Sequence, residues 1–170
     1  VLGSRGSLLT VFNKQIQTKK PITITDLNMT RFVMTMDEAI DLVFFAFKNG
    51  ENGDLFVRKA PSATVETYLK SFLMLKKIKK YPFKIIGSRY GEKKHESLLN
   101  SEEYNLSINK KKYFIKKLLT DQSQQSSFFE KGKVGLSNTK DYNSNNTKMC
   151  SVNELYKIFK NSKILDFLDE

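Results

Sequence analysis

At 170 residues and 39% hydrophobic content the chain can bury a core without staples, and one cysteine (Cys150) with one histidine (His95) excludes an internal disulfide and a four-ligand N/S zinc site. The formal charge of +11 would suit a nucleic-acid or anionic-membrane partner, yet only four of the 29 basic residues are arginine, and the lysines are spread along the chain rather than gathered into a patch. The longest apolar run, Leu42 to Phe47, is six residues against the ~18 of a membrane span, and no signal-peptide pattern opens the chain, so a reducing cytoplasm is the expected compartment.

Val1-Leu-Gly-Ser-Arg-Gly-Ser reads as the end of a strand entering a glycine-rich loop, so a longer parent chain is expected. Leu8, Leu9, Val11, Phe12 and Ile16 follow close to helical spacing, with Ser7 as N-cap. That arrangement would set backbone N–H groups and Arg5 at a helix N-terminus, a natural place for an anion. Pro21 to Thr25 alternates as a short strand, Asp26 to Met29 is a loop, and Arg31 to Thr35 is a second extended piece. Thr35 and Glu38 then have the spacing of a capping box for a helix from Met36 to Lys48, stopped by Asn49-Gly50. Met36, Ile40, Val43 and Phe47 share one face of it, but Leu42, Phe44 and Phe45 fill others, so the helix calls for burial on most sides, part of it by structure outside this chain, without which an exposed apolar patch is expected.

Gly53 to Arg58 predicts a buried strand, Pro61 to Glu66 opens a helix reaching Lys77, and Phe83 to Gly87 is a further strand. This alternation predicts an α/β fold. Gly87-Ser-Arg-Tyr-Gly-Glu-Lys is a polar loop, residues 94 to 99 read as helical, and Asn100 with Glu103 starts another helix. Residues 105 to 148 carry few signals: lysines at 110 to 112, a Gln/Ser run at 122 to 127, and a loop-like stretch from Asp141 to Thr147. Ser151 with Glu154 caps a last amphipathic helix carrying Val152, Leu155, Ile158 and Phe159.

Because arginine is scarce, its placement is informative. Arg5, Arg31 and Arg89 all fall in loops beside strand ends, where ligands bind in open α/β folds. The planar, permanently charged guanidinium suits a phosphate. A diphosphate held by Arg31 and Arg89 is one reading, and structural salt bridges to Asp26, Asp37 or Glu92 are the other. No GxGxxG, P-loop, metalloprotease histidine pair or Ser/His/Asp set is present, and His95 reads as an ordinary polar or core histidine. No metal site is expected.

Six blocks follow one another: Gly-Ser-Arg-Gly-Ser at 3 to 7, Ile-Thr-Asp-x-x-Met-Thr-Arg-Phe-x-Met-Thr-x-Asp-Glu-Ala at 24 to 39, Gly-Asp-Leu-Phe-Val at 53 to 57, Ala-Pro-Ser-Ala-Thr at 60 to 64, Gly-Ser-Arg-Tyr-Gly-Glu-Lys at 87 to 93, and Tyr-Asn-Ser-Asn-Asn-Thr at 142 to 147. Their order resembles the C-terminal half of the bacterial UDP-N-acetylglucosamine 4-epimerases and inverting 4,6-dehydratases of capsule and O-antigen (lipopolysaccharide) synthesis, in the extended short-chain dehydrogenase family. The resemblance implies a Rossmann-type α/β protein whose glycine-rich NAD or NADP fingerprint and catalytic lysine lie upstream of Val1, leaving here the substrate-binding part and an incomplete Rossmann sheet. It implies a UDP-sugar-binding region over residues 1–103 and a divergent extension over 104–170. By motif position, Arg31 and Arg89 would contact the diphosphate or ribose of UDP, Glu92 the ribose hydroxyls, Ser4 and Arg5 the sugar, and Thr23 to Thr25, Thr25 foremost, the uracil.

The chemistry implied is oxidation at sugar C4 by hydride transfer to the nicotinamide. An epimerase then returns the hydride to the other face, whereas a dehydratase first eliminates water across C5 and C6. Anchoring the diphosphate serves both, because the 4-keto intermediate stays bound while the sugar is repositioned. The family also implies a homo-oligomer, and the missing cofactor half could be separately encoded. Tyr90 stands where the family usually has histidine, and the segment from Lys117 departs from the family pattern, as a split or decaying gene product would. Without the upstream half the chain is expected to be inactive alone. The competing readings are a remnant that no longer folds and a lysine-rich nucleic-acid module, whose affinity would fall steeply with salt.

Overall fold

The computed structural model describes residues 1–118 and 140–168, so the Gln/Ser run lies outside the described residues. The fold is α/β with small open sheets, as expected, and it divides into two compact units. The first comprises residues 1–40, 60–96 and 144–170, and the second 41–59 and 97–143.

In the first unit, α1 (Leu8–Gln17) leads into β1 (Ile22–Ile24), and β2 (Thr30–Phe32) leads into α2 (Met36–Asn49), whose residues from Asp41 on are counted in the second unit. The predicted box at the start of α2 is made, with the Thr35 N–H donating to Glu38 at 3.0 Å and the Glu38 N–H to the Thr35 hydroxyl at 3.2 Å. Ser7 stands at the N-cap of α1, but its hydroxyl does not cap and lies 3.4 Å from that of Thr10. The Gln15 side chain clips α1 onto β1 by bonding both the N–H and the hydroxyl of Thr23.

Ser62 to Thr64 does not open a helix. It is a strand, β4, paired antiparallel with β2 in the register Thr30↔Thr64, Arg31↔Ala63, Phe32↔Ser62. The helix α3 (Val65–Leu75) begins behind it, capped by the Thr64 hydroxyl. The final helix, Val152–Asn161, is α5, and its Ser151/Glu154 box is complete. Ser71 of α3 donates to the Val152 carbonyl of α5 at 3.0 Å, and Phe12, Phe72 and Phe159 close the core fully buried. β5 (Phe83–Ile85) runs parallel to β1, with Ile22 opposite Phe83 and Ile24 opposite Ile85.

In the second unit, β3 (Leu55–Arg58), β7 (Ile108–Asn109) and β8 (Tyr113–Lys116) form an antiparallel sheet in the order β3-β8-β7. β3 was expected to be buried, yet only Val57 is, because the strand lies at the edge of its sheet and Leu55 is 42% exposed. β8 is the buried strand instead, and Phe45 stacks on its Tyr113 with ring centroids 4.2 Å apart. Residues 97 to 99 are not helical but form β6 (Ser97–Leu99), paired with β9 (Tyr142–Asn143), so the stretch read as loop also contains a strand. Between them α4 (Ser101–Leu106) starts on the expected Asn100/Glu103 box.

The exposed apolar patch expected on α2 is present: no residue of this helix is buried, and Phe44 and Phe47 are 69% and 85% exposed. Its Met36, Ile40, Val43, Phe47 stripe is 45–85% exposed.

Candidate functional site

Thr25 leaves the carboxyl end of β1, and the Gly87 to Lys93 loop leaves that of β5. Since the two strands are parallel, both segments emerge at the same end, the place where an open α/β sheet receives a ligand. The loop doubles back because Gly87 and Gly91 take φ of 79° and 82°, a region costly for other residues. Glu92 is thereby turned inward: one carboxylate oxygen accepts from the Thr25 hydroxyl at 3.1 Å and the other from the Arg89 N–H at 3.2 Å.

Arg31 reaches the same carboxylate from β2. Its Nη2 lies 4.0 Å from Glu92 and its Nε 3.7 Å from Glu96, while Nη1 donates to the carbonyls of Thr30 at 2.8 Å and Lys94 at 3.3 Å. The two carboxylate separations exceed the roughly 2.7–2.9 Å of a charge-assisted hydrogen bond, so the guanidinium is held chiefly through backbone carbonyls. A bound oxyanion can then compete for its remaining N–H groups. Glu96 also accepts from the Phe32 N–H at 3.1 Å.

β2 is fixed from its other side by Tyr68, whose hydroxyl donates to the Phe32 carbonyl at 3.0 Å. Burial, reinforced by the Glu96 charge, pushes the Tyr68 phenol well above its usual range and keeps it a neutral donor. Behind β2, the buried Thr30 hydroxyl lies 2.7 Å from His95 Nδ1 and 2.6 Å from the Ser144 hydroxyl, so His95 is a hydrogen-bonded structural group.

The structure thus brings together Thr25, Arg31, Glu92 and the backbone of Arg89, whose side chain is exposed. Of the salt-bridge partners considered for Arg31, Glu92 is the one found near it. Ser4 and Arg5 stand apart: both are exposed in the loop before α1, where Ser4 bonds only locally, to the Val1 carbonyl at 2.9 Å. Beside that loop a cavity of about 90 Å³ is lined by Leu2, Gly3, Thr35, Met36, Asp37 and Ile164, too small for a nucleotide. Sequence reasoning missed Glu96, Thr30 and Ser144. Glu96 follows Glu92 by four positions, but only pairing with β2 makes it a neighbour of Arg31. Among the described residues no cluster of His, Cys, Asp and Glu could hold a metal, and no helix is long and apolar enough to cross a membrane.

A family model described as "Polysaccharide biosynthesis protein" matches residues 1–118, most of the chain. The chain belongs to the polysaccharide biosynthesis protein family. A second model, "Polysaccharide biosynthesis protein C-terminal", matches residues 126–164. Similar curated members include the UDP-glucose 4-epimerase of Rickettsia felis, 36% identical over 172 residues, and that of Rickettsia bellii strain OSU 85-389, 35% identical over 170. Each alignment covers all of this polysaccharide biosynthesis family chain and 49% of the relative. Among solved structures, Pen from Bacillus thuringiensis superposes with a TM-score of 0.77 at 27% identity, over 96% of this chain and 47% of that one. The chain therefore spans about half the length of the relatives it matches.

Proposed function

We propose that this polysaccharide biosynthesis family chain supplies the nucleotide-binding part of a UDP-sugar site, the sugar being N-acetylglucosamine undergoing C4 epimerisation for capsule or O-antigen synthesis. The observation that carries this reading is the convergence of Thr25, Arg31, Glu92 and the Arg89 loop at the shared end of β1 and β5. Carboxylates accept hydrogen bonds from ribose hydroxyls, and the Arg31 fork, with Arg89 on the adjoining loop, meets the diphosphate. The names of the Rickettsia relatives, both UDP-glucose 4-epimerases, support epimerisation over the 4,6-dehydratase alternative. Ser4 and Arg5 would join the sugar end from their separate loop.

Among the described residues of this chain, none compose a dinucleotide cradle. Its glycine-rich loop, Gly3 to Ser7, lacks the GxGxxG spacing that brings a backbone against a pyrophosphate, so no step of the NAD(P) chemistry is derived from them. In this reading the cofactor is held by a polypeptide equivalent to the half of the relatives' length that lies outside the match, within a cytoplasmic homo-oligomer. Its seat is the exposed apolar stripe of α2. The region over 1–103 carries the nucleotide contacts, and 104–170 is the divergent extension.

Calorimetric titration of the protein with UDP tests the site. Arg31→Ala is expected to weaken binding about tenfold or more, the worth of a hydrogen bond to a charged group. Equal affinities in wild type and variant would refute the assignment.

A further inference from the structure

The Tyr142 to Thr147 block has no place in the nucleotide contacts named above, yet one of its residues is among the most enclosed polar groups of the chain. Ser144 is 0% exposed, and Thr30, against which it packs, is 2% exposed. The two are 114 positions apart in sequence.

We propose that Ser144 is the positioning residue of the Arg31 cluster: its hydroxyl ties β2 to the segment bearing Glu96 and fixes the carbonyl on which the guanidinium is clamped. The inference rests on the reading of that cluster as a nucleotide site. Ser144 and Glu96 are joined twice, the Ser144 N–H donating to the Glu96 carbonyl at 2.8 Å and the Glu96 N–H to the Ser144 hydroxyl at 2.9 Å. The single proton of that hydroxyl is directed at Thr30, whose carbonyl lies 3.0 Å away and whose own hydroxyl lies at 2.6 Å.

The Thr30 carbonyl has two lone pairs, and the Ser144 hydroxyl and Arg31 Nη1 both address it, the latter at 2.8 Å. Donation by Ser144 to this carbonyl leaves the Thr30 proton for His95 Nδ1 or for the Ser144 oxygen, so every group in the chain keeps a partner. The consequence is geometric. Glu96 faces Arg31 Nε and accepts from the Phe32 N–H, so the Ser144 link sets the distance between the carboxylate and the guanidinium without touching the ligand. Removing the hydroxyl leaves the Glu96 N–H and one Thr30 lone pair without that partner and frees both walls of the Arg31 slot.

The test is UDP affinity, measured by calorimetry, for wild type, Ser144→Ala, Arg31→Lys and the double variant. Ser71→Ala is the control, since Ser71 is equally buried and bonds the Val152 carbonyl away from the cluster. Ser144→Ala is expected to weaken UDP binding about tenfold, Ser71→Ala not at all, and the Ser144 effect should largely vanish in the Arg31→Lys background, where the fork is already gone. If Ser144→Ala does not fold, Ser144→Cys, which keeps the volume filled but donates weakly, is expected to show the same loss. Unchanged affinity in the Ser144 variant, or a loss equally large with lysine at 31, overturns this inference alone. A wild-type protein that does not bind UDP overturns the nucleotide reading and this inference with it.

Discussion

A guanidinium flanked by two carboxylates is a different receptor from a lone surface arginine. The Arg31 cluster carries one positive and two negative side chains, so it would repel a phosphate if Glu92 and Glu96 faced it equally. The reading requires the carboxylates to turn to hydroxyls while the cation meets the oxyanion, so added salt should weaken UDP binding by screening. Glu154 makes stability depend on pH. Its carboxylate accepts from the Ser151 N–H at 2.9 Å, then pairs with Lys148 at 3.0 Å, and is held down at about 2 against the ordinary 4.5. A carboxyl whose folded pKa is depressed contributes stability above its ordinary value and loses it as pH falls toward the folded one. The melting temperature of wild type should therefore fall relative to that of Glu154→Gln between about pH 4.5 and 2, and parallel curves would show that the cap does not matter. Arg31 was visible in the sequence because arginine is scarce. Glu96 was not, because its recruitment depends on a pairing with β2 held by Ser144, far along the chain.

Elements were legible where their determinants are local. The boxes at Thr35/Glu38, Asn100/Glu103 and Ser151/Glu154 each need only three residues of spacing, and each starts the helix expected of it. β4 and β6 were mistaken for helix because nothing local makes Ser62 to Thr64 or Ser97 to Leu99 extended; β2 and β9 do that by pairing. β7 and β8 were missed for the same reason, their hairpin being short and interrupted by lysines 110 to 112. The boundary between β4 and α3 rests on one hydroxyl, since Thr64 accepts from the Thr67 N–H at 3.1 Å. Thr64→Ala should cost about 1 kcal/mol, read as a lower denaturant midpoint at unchanged slope. Phe159→Ala, emptying a side chain 0% exposed between α3 and α5, should cost about 3–5 kcal/mol. A smaller loss for Phe159 than for Thr64 would mean that the α3–α5 contact is not the core of the first unit.

For the molecule as a whole, the decisive surface is the apolar one that the sequence pattern of α2 left without a cover in this chain. Met36, Ile40, Val43, Phe44 and Phe47 on α2 are 45–85% exposed, and on β5 and the residue after it Phe83, Ile85 and Ile86 are 47–55% exposed. Burying such a side chain is worth about 1.5–3 kcal/mol, so leaving five on one helix uncovered is a strong drive to association. The chain spans about half the length of its relatives, and a polypeptide matching the remainder is the occupant proposed for the α2 stripe. On its own the protein should then self-associate through it. Sedimentation velocity should show a coefficient that rises with protein concentration, and Phe44→Glu with Phe47→Glu should flatten that dependence. Salt separates the causes. The net charge of +11 repels between copies, so added salt should strengthen association driven by the apolar stripe, whereas contacts made by the lysines to acidic side chains should weaken. A wild type that stays monomeric at all concentrations would mean that the α2 stripe is not a docking face.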